Sequence, residues 1–159
     1  MGWILGALCG AGLTLAACGE KVCTLRACGE ALKVNFVASD AWRPGDYRIE
    51  VTADGRTSSC EVTLPLQCGR APRCEGEVDW VPVDSGCAAP PEQHAIQGLM
   101  FMNRAPENLT VTVFMHDLVL GEASFRPQYT VVRPNGDECE PACKVAPTPG
   151  TMPVQMPGA

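Results

Sequence analysis

GDYRIEVTADGRTSSCEVTL, residues 45–64, decides the fold. Tyr47, Ile49 and Val51 alternate with Arg48, Glu50 and Thr52 up to Asp54-Gly55, and Cys60, Val62 and Leu64 alternate again beyond. A period of two sends successive side chains to opposite faces of a strand. Asp-Gly suits the two positive-φ positions of a type I′ turn, whose twist matches that of a tight hairpin. With those residues as the turn, Ile49 faces Cys60 and Tyr47 faces Val62, so both apolar sets share one face. A slip of one residue would carry Val62 to the solvent side. Pattern and turn chemistry agree on the register.

The same period recurs outward from the hairpin. Leu32, Val34 and Phe36 oppose Lys33 and Asn35, and Leu109, Val111, Val113 and Met115 oppose Thr110 and Thr112. Further strands are expected over residues 77–83, 95–102, 118–125 and 129–133, the last ending in the turn Pro134-Asn135-Gly136-Asp137. Pro65, Pro72, Pro82, Pro90 and Pro91 break up residues 65–93, which read as loop held by bridges around one short strand. About seven or eight short strands with short connections predict an all-β, antiparallel β-sandwich over residues 32–143, with a small β-barrel as the alternative. Residues 144–159, KVAPTPGTMPVQMPGA, are Pro-rich and carry no charge after Lys144. That tail is expected to be disordered, because it offers little apolar surface against its ordering entropy.

Ahead of the body stands MGWILGALCGAGLTLAACGE, residues 1–20, with no charged side chain before Glu20 and mostly apolar and small residues. Its h-region is too short for the ~20 residues that cross a bilayer as a helix and suits a secretory signal. The ending Leu15-Ala16-Ala17-Cys18 resembles a bacterial lipobox, with small residues before the cleaved bond and Leu15 in the outer slot. The resemblance implies that residues 1–17 are a signal peptide and that Cys18 is lipidated. Each buried methylene of such an anchor contributes about 0.8 kcal/mol, so several acyl chains hold permanently. Gly19, in place of an inner-membrane Asp, favours the outer membrane. Residues 18–31 then form the lipidated cysteine and a short tether, with the body close to the membrane. An uncleaved anchor, or a plain signal with a structural Cys18, is the other reading.

Twelve Lys and Arg against eighteen Asp and Glu give a net charge of −6, with no basic cluster. A nucleic acid is therefore a poor partner, since phosphate contacts need concentrated cations. Ten cysteines occur in the chain. Setting aside Cys9 in the signal and Cys18 leaves Cys23, Cys28, Cys60, Cys68, Cys74, Cys87, Cys139 and Cys143, an even set consistent with disulfides formed after export. Sequence alone leaves the pairing open. Local bridges are expected: Cys23 with Cys28, Cys139 with Cys143, and two more within residues 60–87. Zinc is the rival use of these cysteines, but no CxxC pair occurs and neither His94 nor His116 stands at ligand spacing from one. No metal and no cofactor are expected.

Catalytic patterns are missing. The chain has no Gly-x-Ser-x-Gly elbow, HExxH motif, phosphate-binding glycine loop or EF-hand spacing. His94 reads as a surface histidine at the head of a strand, and His116-Asp117 as part of a turn. Asp40, Asp46, Asp54, Asp79, Asp84 and Asp137 fall mostly in loops, where Asp serves turns; gathered at one end they could bind calcium. Trp42, Trp80 and Phe114 are candidate exposed aromatics, with Phe114 on the polar face of its strand. Asn108-Leu109-Thr110 matches a glycosylation sequon that carries no weight in a bacterial chain.

GDYRIEVTADG resembles a strand-turn motif common in bacterial immunoglobulin-like domains, although the Cys-Trp-Cys spacing of true immunoglobulins is not evident. The lipobox, Cys60-Glu61-Val62-Thr63-Leu64-Pro65, and Phe125-x-Pro127-x-Tyr129 leading to Pro134-Asn135-Gly136 with Cys139 and Cys143 resemble small Cys-rich bacterial lipoproteins of the myxobacterial type. The likeness covers most of residues 15–143, and only the lipobox is a specific motif. It implies a location and an immunoglobulin-like β domain, and no activity. The Pro-rich ending departs from the strand expected after Cys143. The expectation is a lipid-anchored cell-envelope protein, a non-enzymatic binding or structural module with a protein or glycan partner. The alternatives are an envelope hydrolase using loop carboxylates and a calcium-stabilised adhesion module.

Overall fold

The computed structural model describes residues 22–77 and 79–157, so the signal segment and Cys18 lie outside the described residues. Within them the chain forms β1 (Leu32–Ala38), β2 (Gly45–Ala53), β3 (Arg56–Leu64), β4 (Arg73–Glu75), β5 (Trp80–Asp84), β6 (Ile96–Phe101), β7 (Leu109–Met115), β8 (Leu118–Phe125), β9 (Thr130–Val132), β10 (Cys143–Val145) and β11 (Gly150–Val154). The only helical piece among the described residues is a single 3-10 turn, Pro91–Gln93, so none is long and apolar enough to cross a membrane. The β2–β3 hairpin has the register its sequence dictates, with Ile49 opposite Cys60 and Tyr47 opposite Val62. Asp54 and Gly55 carry φ of 50° and 81°, as the primed turn requires.

Two sheets face each other. One runs β4-β3-β2-β7-β8 and the other β11-β1-β6-β5, while β9 and β10 form a separate ribbon. Every pairing is antiparallel except β1 with β11. Tyr47, Ile49, Val51, Val111 and Val113 from the first sheet bury against Val34, Leu99, Phe101, Met152 and Val154 from the second. Trp80 also enters this core, and its Nε1–H donates to Ser58 Oγ at 2.9 Å across the two layers. On one side the layers close: the Gln155 N–H donates to the Leu120 carbonyl at 2.7 Å. There a Cβ on Gly121 would lie 2.4 Å from the Pro153 carbonyl oxygen, so only glycine fits. Gly98 is constrained more tightly, with φ at +152° and an added Cβ 2.0 Å from the Val34 carbonyl oxygen of β1.

Three expectations need correction. The ending is not disordered: residues 150–154 form β11, lying parallel to β1 with Val34 opposite Gly150 and Ala38 opposite Val154. Met152 and Val154 alternate inward and are fully buried, which supplies the apolar surface the composition seemed to lack. Pro153 is tolerated because β11 is an edge strand. The second correction concerns the bridges. Cys23 pairs with Cys139 and Cys28 with Cys143, at Cα separations of 5.8 and 5.5 Å, in place of Cys23 with Cys28 and Cys139 with Cys143. The bridges within residues 60–87 are Cys60–Cys74 and Cys68–Cys87, inside the expected span.

The third correction follows from the second, because residues 22–31 are bound to the body and are no free tether. Asn135 Oδ1 accepts from the Thr24 hydroxyl at 2.7 Å and the Arg26 N–H at 2.8 Å. Its Nδ2 donates to the Arg26 and Glu140 carbonyls at 2.9 and 2.7 Å. The Ala146 N–H donates to the Ala31 carbonyl at 2.7 Å. An extended segment with no strand partner of its own thus borrows its order from the 133–146 region.

Candidate functional site

Strand directions divide the molecule into two ends. At one, the Asp54-Gly55 turn, the start of β5 at Trp80 and the start of β1 at Leu32 lie together with residues 102–108 and the two long-range bridges. Asp54 fixes this end, its Oδ1 accepting the N–H groups of Glu107 and Asn108 at 3.0 and 2.9 Å. Arg104 pairs with Asp54 at 3.9 Å and with Asp79 through a closer contact. The two carboxylates that approach each other therefore do so across a guanidinium. The Asn103 N–H donates to the Gly29 carbonyl at 3.4 Å, joining this loop to the bridged segment.

The other end carries a cleft of about 570 Å³ between the end of β3, the loop that follows it, and the end of β5. Asp46, Glu61 and Asp84 supply carboxylates to its wall, and Arg70 and Arg73 supply guanidiniums. Asp46 Oδ1 accepts from the Thr63 hydroxyl at 2.6 Å, and Arg70 donates to Gln67 Oε1 at 2.9 Å. Interleaved donors and acceptors of both signs suit a polar ligand recognised by several hydrogen bonds. Beside it, the outer face of the larger sheet runs from Glu61 through Arg48 to Phe114 in register. The Arg48 guanidinium lies 3.8 Å from the Phe114 ring centroid, a cation–π contact on an accessible surface. Phe114 is thus displayed on the polar face, as its alternation implies.

His94 corrects the sequence reading: it is 6% exposed and holds the cleft together. Its Nδ1 accepts the Leu66 N–H at 2.9 Å, and Nε2 lies 3.0 Å from the Ala89 carbonyl. A backbone N–H can only donate and a carbonyl only accept, so the ring hydrogen sits on Nε2. The Cys68–Cys87 bridge joins the same two loops. Nothing in the spacing marked this role, because His94 and Leu66 are 28 residues apart. Replacing His94 with Ala is expected to cost about 1–3 kcal/mol, the penalty for orphaning a buried donor and acceptor. Hydrogen exchange at the Leu66 amide should accelerate in H94A while amides of β7 keep their protection.

Two of the three aromatics expected to be exposed need correction: Trp42 is half-buried and Trp80 is only 3% exposed, because the first leans on Tyr47 and the second opens β5 on its inward face. Trp42 packs edge-on against Tyr47 with ring centroids 5.0 Å apart, and Trp80 is core. Asp40 and Asp84 accept from the N–H groups of Ala41 and Gly86, as turn aspartates do. Among the described residues no three His, Cys, Asp or Glu side chains gather to hold a metal. His116, with φ of 54°, occupies the β7–β8 turn.

Both tyrosines are shielded. Tyr47 donates to the Arg43 carbonyl at 2.8 Å, and burial raises its pKa above the ordinary value of 10.0. Tyr129 donates to the Pro106 carbonyl at 2.8 Å; burial, with the Asp54 charge second, pushes its pKa up to about 12. A proton held more tightly folded than unfolded favours the native state fully below the unfolded pKa. That contribution is lost as pH climbs through the folded one. Native protein at pH 10.0 should therefore show far less tyrosinate absorbance than the same protein in denaturant, and its stability should fall between there and about pH 12. Equal absorbance in the two states would contradict the shielding.

Comparison with protein-family models, with curated proteins and with solved structures finds no match for this chain.

Proposed function

We propose that this chain is a lipid-anchored protein of the cell envelope, probed by partners through a non-enzymatic β-sandwich. The observation that carries the reading is the cysteine arithmetic. The eight cysteines after Cys18 bond to one another in four bridges, leaving over only Cys9, within the segment that the lipobox resemblance removes, and Cys18, the residue that it acylates. Four bridges in so short a body also favour an oxidising compartment. The cleft, with Arg48 and Phe114 beside it, offers polar and aromatic groups of the kind that recognise a protein segment or a glycan. An acidic surface disfavours nucleic acid.

Mass spectrometry of protein purified from its native membrane tests the anchor. The expected amino terminus is Cys18 carrying acyl groups, with eight cysteines that resist alkylation until reduced. Unprocessed residues 1–17 on a cytosolic protein with reactive thiols would overturn it.

A further inference from the structure

We infer that the bridged end is a lipid-contacting surface, which stands the sandwich on the membrane with its cleft facing away; this rests on the proposed anchor at Cys18. Only Gly19, Glu20 and Lys21 separate Cys18 from Val22. Four residue steps reach at most about 14 Å, whatever path they take. The end that holds Val22 must then lie within that distance of the acylated residue. Cys23–Cys139 and Cys28–Cys143 prevent the body from swinging out on a longer lead.

Among the described residues this end carries five of the nine large apolar side chains left in the open, including the two most exposed, whereas Leu118 and Val119 stand at the opposite end beside the β7–β8 turn. Val22 is 91% exposed, Leu25 100%, Val131 62%, Val132 43% and Met102 37%. Single exposed apolar residues are ordinary, but four on segments joined by two bridges and the Asn135 hydrogen bonds, with Met102 brought in through the Asn103–Gly29 hydrogen bond, form a concentration. Arg26, Arg133 and Lys144 are interspersed with Asp137, Glu138 and Glu140, so neither sign of charge dominates. The contact is therefore with the boundary between headgroups and acyl chains, without need of anionic lipid. β3 leads from the Asp54-Gly55 turn at this end to the cleft, and its nine residues extend about 30 Å at strand rise. The cleft is held that far out from the bilayer.

Acylated protein reconstituted into phosphatidylcholine vesicles with brominated acyl chains tests the orientation, using V131W, L25W and Q67W against the unsubstituted chain. Leu25 is fully exposed, so L25W leaves the core intact if V131W does not fold. Insertion by about 5–10 Å brings the new indoles of L25W and V131W to the bromines, with loss of roughly half their emission. The indole of Q67W, on the cleft loop, is expected to keep its emission. Protein that sediments with vesicles but whose L25W and V131W indoles are no more quenched than that of Q67W overturns the lipid contact and leaves the anchor standing. Protein with neither acyl mass nor vesicle sedimentation removes the anchor and this inference with it.

Discussion

Replacing the two long-range bridges together, with alanine at Cys23, Cys28, Cys139 and Cys143, is expected to cost about 7 kcal/mol, whereas losing either one alone costs about 2–3 kcal/mol. The asymmetry comes from overlap, since the two loops share all but a few residues at each end. Cys23–Cys139 and Cys28–Cys143 span 116 and 115 residues, so the first to form removes most of the chain entropy, about 4.7 kcal/mol for a loop near 100 residues. The second then closes a small ring, residues 23–28 on one side and 139–143 on the other, and restricts far fewer conformations. Urea unfolding of both double variants and the quadruple variant under oxidising conditions measures this. Costs that simply add would show that the two bridges constrain the unfolded chain independently.

Deleting residues 147–159 is expected to cost about 5 kcal/mol or more, a large share of the 5–15 kcal/mol that holds a typical domain folded. Met152 and Val154 are fully buried, and their loss opens the core beside Val34 and Leu120. The deletion also strips β1 of one of its two hydrogen-bonded neighbours, leaving an edge that invites pairing between molecules. M152A alone should cost about 2–5 kcal/mol, the range for truncating a buried methionine. Thermal unfolding followed by circular dichroism decides the matter. A truncated chain that melts with the full chain would mean that the ending is dispensable.

Local signals in the sequence carried the central part of the fold. The hairpin register, the limits of β7 and β8, and the two-layer all-β arrangement follow from alternation and one Asp-Gly turn, which are properties of neighbouring residues. The ends of the chain were illegible for the opposite reason. Pro149 just before β11, with Gly150 and Pro153 inside it, obscures a period of two that matters only because β1, more than a hundred residues earlier, supplies its partner. Cys23 and Cys28 likewise look like a local pair until Asn135 draws their segment against the 139–143 turn. His94 was misjudged because a polar residue beside a Pro-rich loop reads as solvent-facing. Its two hydrogen bonds to backbone exist only once the loops around residues 66 and 89 have met. The cleft carried no motif at all, since its charges come from separate connections.

The adjacency of β1 and β11 ties the two most distant strands of the fold together, so the smaller sheet waits on a segment more than a hundred residues downstream of its first strand. Such a pairing has high contact order, and its closure is slow for that reason. Until residues 150–154 dock, β1 presents an open edge, and that interval is when the protein is most exposed to wrong pairing.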